Sequence, residues 1–151
     1  MTVPFLLDDR LEESSFFIED WDLCRVALKC DKTWPWLYLV PRRNNIREIY
    51  DMTAADQEQL IREISLASRS LQTVYHAEKI NTAALGNMVP QLHVHVFARF
   101  KDDPAWPKPV WAVQQDEISY TDYERKTEIE KLKNCFAKMQ DAFGGIKDGG
   151  R

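Results

Sequence analysis

Apolar and polar positions alternate with period two along Pro90-Gln91-Leu92-His93-Val94-His95-Val96-Phe97, a pattern that predicts a strand. Leu92, Val94 and Val96 point to one face, toward a core. Gln91, His93 and His95 point to the other. Short apolar runs predict further strands at Phe16–Glu19, Leu23–Leu28 and Leu37–Val40, and Pro41 ends the last of these ladders. Leu23–Leu28 alternates poorly, so both its faces are expected to be covered. Lys79–Leu85 predicts a strand that runs into a turn at Gly86.

Elsewhere the period lengthens to three and four. Leu60, Ile64, Ala67, Leu71 and Val74 form one helical stripe behind an N-cap at Thr53, with Arg62, Glu63, Arg69 and Gln72 assigned to the solvated face. His76 falls in the last turn, where its side chain is expected to meet the C-terminal carbonyls. A second helix starts at Thr121, with Glu124 completing a capping box. Ile129, Leu132, Phe136, Met139 and Phe143 make its docking face, and Gly144-Gly145 stops it. Residues 1–14 read as an irregular arm with a turn of helix at Asp8–Glu13. The stretch 102–111, with three prolines and two tryptophans, reads as a stiff loop. A helix set between two groups of strands predicts an α+β fold, an antiparallel sheet with helices on one side.

The length of 151 residues fits one domain, 1–151, with a core at about 15–111 and a C-terminal helix at about 121–143. A net charge of −4 with interspersed signs offers no basic patch for duplex nucleic acid and no polybasic membrane signal. Cys24, Cys30 and Cys135 are odd in number and lack CxxC or zinc-ligand spacing. Reduced thiols in a cytoplasmic protein are the expectation. The first residues do not read as a signal peptide, and no stretch approaches a membrane span.

Neighbours on the Gln91, His93, His95 face of a strand lie about 6.5–7 Å apart, so one phosphate or one metal ion can meet two of them. Neutral imidazole is a good nucleophile, and phosphoryl transfer demands mostly positioning and charge stabilisation. The amides of Gly86, Asn87 and Met88 are candidate oxyanion donors. A closed metal site would need a third or fourth ligand, for which only His76 or scattered acids remain. From the residues alone, a structural row, a metal pair and a phosphate-handling site all stay open.

Gln91-Leu92-His93-Val94-His95-Val96-Phe97 resembles the motif of the histidine-triad (HIT) superfamily, His-φ-His-φ-His-φ-φ with φ apolar. Gln91 stands in the first His place, His93 in the middle and His95 in the third. The resemblance runs from about Cys24 to Phe100. It departs from the pattern twice: the first triad His is missing, and a separate fourth His is replaced by Trp36. The sequence looks most like a bacterial HIT-like branch with this Gln.

The resemblance implies an antiparallel sheet of about five strands with a long central helix and a C-terminal helix. It implies a nucleotide hydrolase or nucleotidyl transferase acting at the α-phosphate of an ester, anhydride or phosphoramidate. His93 would be the nucleophile and form a nucleotidyl-histidine intermediate. His95 would hold phosphate oxygens and protonate the leaving group, so His95→Asn is expected to slow poor leaving groups selectively. The Gln91 carbonyl would orient His93, Asn81 would contact phosphate and Asp31 ribose hydroxyls. Trp34 and Trp36 would wall a base pocket or, as expected for Trp36, pack the core. Arg99 meets either phosphate or an acid. No metal and no cofactor are implied, and relatives pair as homodimers. Apolar surface on the Trp-rich stretch and the last helix fits that pairing. The alternatives are a nucleotide-binding module with little turnover and a metal-dependent His-x-His protein.

Overall fold

The computed structural model describes residues 3–143. A short helix α1 (Asp9–Glu13) leads into strands β1 (Ser15–Asp20), β2 (Cys24–Lys29) and β3 (Trp36–Pro41). The long helix α2 (Ala54–Tyr75), strands β4 (Lys79–Ala83) and β5 (Val94–Arg99), and the helix α3 (Asp122–Phe143) follow. The five strands form one antiparallel sheet in the order β1-β2-β3-β5-β4. The α2 crossover lets β5 insert between β3 and β4, which brings the histidine strand to an inner position. No helix among the described residues is long and apolar enough to cross a membrane.

One face of the sheet carries Val26, Leu28, Leu37, Leu39, Val94 and Val96, packed under α2 and α3 through Leu60, Ala67, Leu71, Leu132 and Phe136. The other carries Ala27, Trp36, Tyr38, Val40 and Phe97 under Leu11, Ala105 and Val110. Phe5 and Leu7 of the amino-terminal arm close over this second cluster. The strand register explains the sorting: Leu37 faces Val96 and Leu39 faces Val94 on one side, while Trp36 faces Phe97 and Tyr38 faces His95 on the other. Every residue of β3 and β5 is therefore buried. Thr53 caps α2 by accepting from the Asp56 amide, and Thr121 and Glu124 exchange reciprocal bonds ahead of α3.

Several expectations are corrected. The strand expected over Pro90–Phe97 begins only at Val94. Pro41 has no N–H to continue the ladder opposite Leu92, and the Leu92 amide instead donates to the Ile46 carbonyl at 2.9 Å. The strand expected to reach Leu85 stops at Ala83.

Glu63 is not on a solvated face: it is 3 % exposed. Its two carboxylate oxygens accept from the Leu23 and Cys24 amides at 2.9 and 2.7 Å, at the turn from β1 into β2. These donors have no strand partner, and a carboxylate supplies strong acceptors for both. His76 meets the end of α2 with its backbone, not its ring: at φ 54° its N–H donates to the Gln72 carbonyl.

Part of the apolar surface that suggested pairing is used within the chain, although Trp111 stays 46 % exposed. Trp111 packs on Trp36, His95 and Phe97, and α3 buries Leu132, Cys135 and Phe136. The expected stop at Gly144-Gly145 lies outside the described residues.

Candidate active site

His93 sits immediately before β5, where the chain has left the ladder but keeps its alternation, and is 7 % exposed. Its Nδ1 lies 2.7 Å from the Gln91 carbonyl oxygen. A carbonyl only accepts, so Nδ1 carries a proton, and in the neutral ring it is Nε2 that keeps the lone pair. The ring is thus held in the tautomer a nucleophile needs. It borders a small surface cleft lined by Arg47, Ala84, Leu85, Gly86 and Leu92.

His95, 8 % exposed, is enclosed by aromatic rings. Tyr38, Trp36 and Trp111 lie 5.3, 5.5 and 5.1 Å from it between ring centroids, and His93 lies at 4.9 Å. The Trp36 indole N–H donates to His95 Nδ1 at 3.0 Å. An indole nitrogen only donates, so His95 carries its proton on Nε2. Burial in this cage pulls the His95 pKa down to about 3, with the charges of His93 and Lys29 acting the same way. A second proton on Nδ1 would also leave the buried indole N–H without an acceptor, at a cost of roughly 1–3 kcal/mol. Lys29 stands 5.2 Å above the Trp36 ring and pairs with Glu117 at 2.9 Å.

The side chain of Gln91 does not join this pair. Its Oε1 accepts from the Asp8 amide at 2.8 Å and its Nε2 donates to the Leu6 carbonyl at 2.9 Å. Asn44 does the same one step earlier, accepting from the Leu6 amide and donating to the Pro4 carbonyl. Two side-chain amides thereby replace a neighbouring strand and fasten the arm beside the site. Arg10 adds a bond to the Met88 carbonyl. The Arg10 guanidinium holds the Asp8 carboxyl below the usual carboxylate range, and the charge of His93 contributes in the same direction.

Other expected residues are placed differently. Asn81 lies opposite Phe97 on the histidine face, but its Oδ1 accepts from Arg99 at 2.9 Å. Arg99, 2 % exposed, forks onto Asp103 and donates to the Lys108 carbonyl. It thus ties β5 to the proline-rich loop, and the acid left open by the sequence is Asp103. Burial pushes the Asp103 carboxyl up, but Arg99 and three backbone amides overcome it and hold the group well below the usual range.

Asp31 is 5 % exposed, and its Oδ1 accepts from the Thr33 amide, the Thr33 hydroxyl and the Ile118 amide. That oxygen closes a loop in the chain itself. Gly86, at φ 62°, adjoins His93 across the cleft, while Asn87 and Met88 are exposed and do not line it. Among the described residues no three His, Cys, Asp or Glu side chains gather as a metal-ligand set.

Arg47 is the residue that sequence patterning missed. It follows a turn and fits no period, so only its place in the cleft beside His93 reveals it. The polar role of Trp36 had a trace in the sequence, since it occupies the place of a fourth His, but the residue type pointed to packing.

A HIT domain model matches residues 10–102. A histidine triad protein from Bradyrhizobium japonicum is 42% identical, with 89% of this chain and 99% of that one covered at a TM-score of 0.85. One from Marinobacter aquaeolei is 40% identical, with 91% and 99% covered at 0.86. A bis(5'-adenosyl)-triphosphatase of Saccharomyces cerevisiae is 29% identical over 68 residues, which span 42% of this chain but only 33% of the yeast protein.

Proposed function

The chain belongs to the histidine-triad (HIT) family, and on that footing we propose that it is a nucleotide hydrolase or nucleotidyl transferase working at the α-phosphate through His93. The observation that carries this reading is the 2.7 Å bond from His93 Nδ1 to the Gln91 carbonyl, which leaves Nε2 unbonded on a ring that lines the cleft. The Nε2 lone pair attacks the α-phosphorus, and the bond to the leaving group breaks with its electron pair going to that group. The nucleotidyl-His93 intermediate keeps its Nδ1–H on the Gln91 carbonyl. Water then attacks phosphorus and returns the electron pair to Nε2, releasing the nucleoside monophosphate. Charge on the non-bridging oxygens is met by the His95 Nε2–H, by Arg47 and by backbone amides near Gly86. The match to part of a bis(5'-adenosyl)-triphosphatase supports a nucleotide substrate.

His93→Ala tests the reading. Turnover of nucleotidyl esters and anhydrides should vanish, while nucleotide affinity changes by no more than about tenfold, roughly 1.4 kcal/mol. Wild-type protein quenched during turnover should carry an acid-labile nucleotidyl group on His93. Near-wild-type activity in His93→Ala would overturn the mechanism.

A further inference from the structure

Resting on the nucleotidyl-transfer reading, we infer that Trp36 locks His95 as a neutral Nε2–H donor, so that this site favours substrates whose leaving group departs as a stable anion, namely phosphate anhydrides and acidic aryl esters, over alkyl esters and phosphoramidates. The lock rests on donor chemistry. Trp36 Nε1 has a hydrogen and no lone pair to offer, and it lies 3.0 Å from His95 Nδ1. His95 can take a proton there only by turning that hydrogen bond into a clash of two donors. The groups facing His95 add no help: Tyr38, Trp36 and Trp111 wall it off, and the nearby ionisable groups are His93 and the cation of Lys29. Among the described residues no carboxylate pairs with the His95 ring to stabilise an imidazolium.

A neutral imidazole with its proton on Nε2 is a hydrogen-bond donor. To act as a general acid it would have to become an imidazolate beside a phosphate, which no group here stabilises. In the first step the P–O or P–N bond to the leaving group therefore breaks without proton transfer from His95. An anhydride releases a phosphate anion that solvent and Arg47 can meet. An alkoxide or an amide anion has no such outlet. The family resemblance gave His95 the proton donor's role; its tertiary partner takes that role away.

Two measurements decide. The first is the ¹⁵N NMR signature of His95 in the wild-type protein, which needs neither turnover nor a variant. The expected result is a fixed Nε2–H tautomer that does not titrate as pH is lowered from 8 to about 5. An Nδ1–H tautomer, or titration near the ordinary histidine pKa, would overturn the lock.

The second compares kcat/KM of wild type and His95→Asn on nucleotidyl aryl esters and on nucleotidyl alkyl esters or phosphoramidates. Loss of a donor alone slows both classes alike, so their rate ratio should change by less than about threefold. Loss of a general acid costs about 10²–10⁴-fold, and mostly on the poor leaving groups. A selective loss of that size would overturn the inference while leaving the His93 mechanism standing. A wild-type protein inactive on every member of the series would instead overturn the nucleotidyl-transfer reading, and the spectrum would still decide the tautomer.

Discussion

Gln91→Leu removes the two hydrogen bonds that fasten the arm while keeping an apolar side chain of similar reach. Gln91 receives the Asp8 amide at 2.8 Å and donates to the Leu6 carbonyl at 2.9 Å. A neutral hydrogen bond contributes about 0.5–1.5 kcal/mol net, so the substitution should weaken the closed arm by roughly 1–3 kcal/mol. Asn44 and the burial of Phe5 and Leu7 remain, so the arm should open more often without being lost. Amide hydrogen exchange at Asp8 and Leu6 reads this opening directly. At about 1.4 kcal/mol per tenfold, exchange there should accelerate by roughly 5- to 150-fold. Amides of β3 and β5 should be unaffected, because Gln91 lies outside the ladder and its carbonyl still holds His93. Unchanged exchange at Asp8 would refute the fastening role. Equal acceleration through the sheet would show that Gln91 supports the whole fold instead. Gln91→His, which restores the residue of the HIT motif, should loosen the arm too, since the donor and acceptor nitrogens of an imidazole point to opposite sides of the ring and cannot both reach Leu6 and Asp8 as the amide does.

Three further outcomes are expected. Glu63→Ala leaves the Leu23 and Cys24 amides buried without acceptors, and urea denaturation should show a loss of about 2–5 kcal/mol; a loss below about 1 kcal/mol would mean that water or another group serves them. His95 is neutral when folded down to about pH 3 but takes a proton near pH 6.5 when unfolded. Stability therefore falls as pH drops below 6.5, by about 2 kcal/mol at pH 5, and a His95→Asn protein should lack this contribution in pH-dependent urea titrations. Arg47→Gln should lower kcat/KM for an anionic nucleotide by roughly 10- to 150-fold, since a charge-assisted contact is worth roughly 1.5–3 kcal/mol; an unchanged kcat/KM would place Arg47 outside the site.

Features that depend on near neighbours were legible in the residues alone. Period two placed His93 and His95 on the face opposite Leu92 and Val94, and period three to four placed Leu60, Ala67 and Leu71 under the sheet. The bond from His93 to the Gln91 carbonyl spans two residues, and the caps at Thr53 and Thr121 span three. Backbone geometry fixes such distances wherever the segment lies.

Which polar groups lose water, and whom they meet instead, was settled by long-range packing. The Gln91 amide finds Asp8 across 83 residues, and His95 finds Trp36 across 59. Glu63 finds Leu23 across 40. In each case the composition of the segment is compatible with solvent exposure. A polar side chain pairs according to the donors and acceptors that packing leaves around it, and a titratable ring keeps or loses its proton according to the same surroundings. Those surroundings are the sum of contacts from distant elements, so they exist only once β3, β5, the arm and the tryptophan-rich loop have come together.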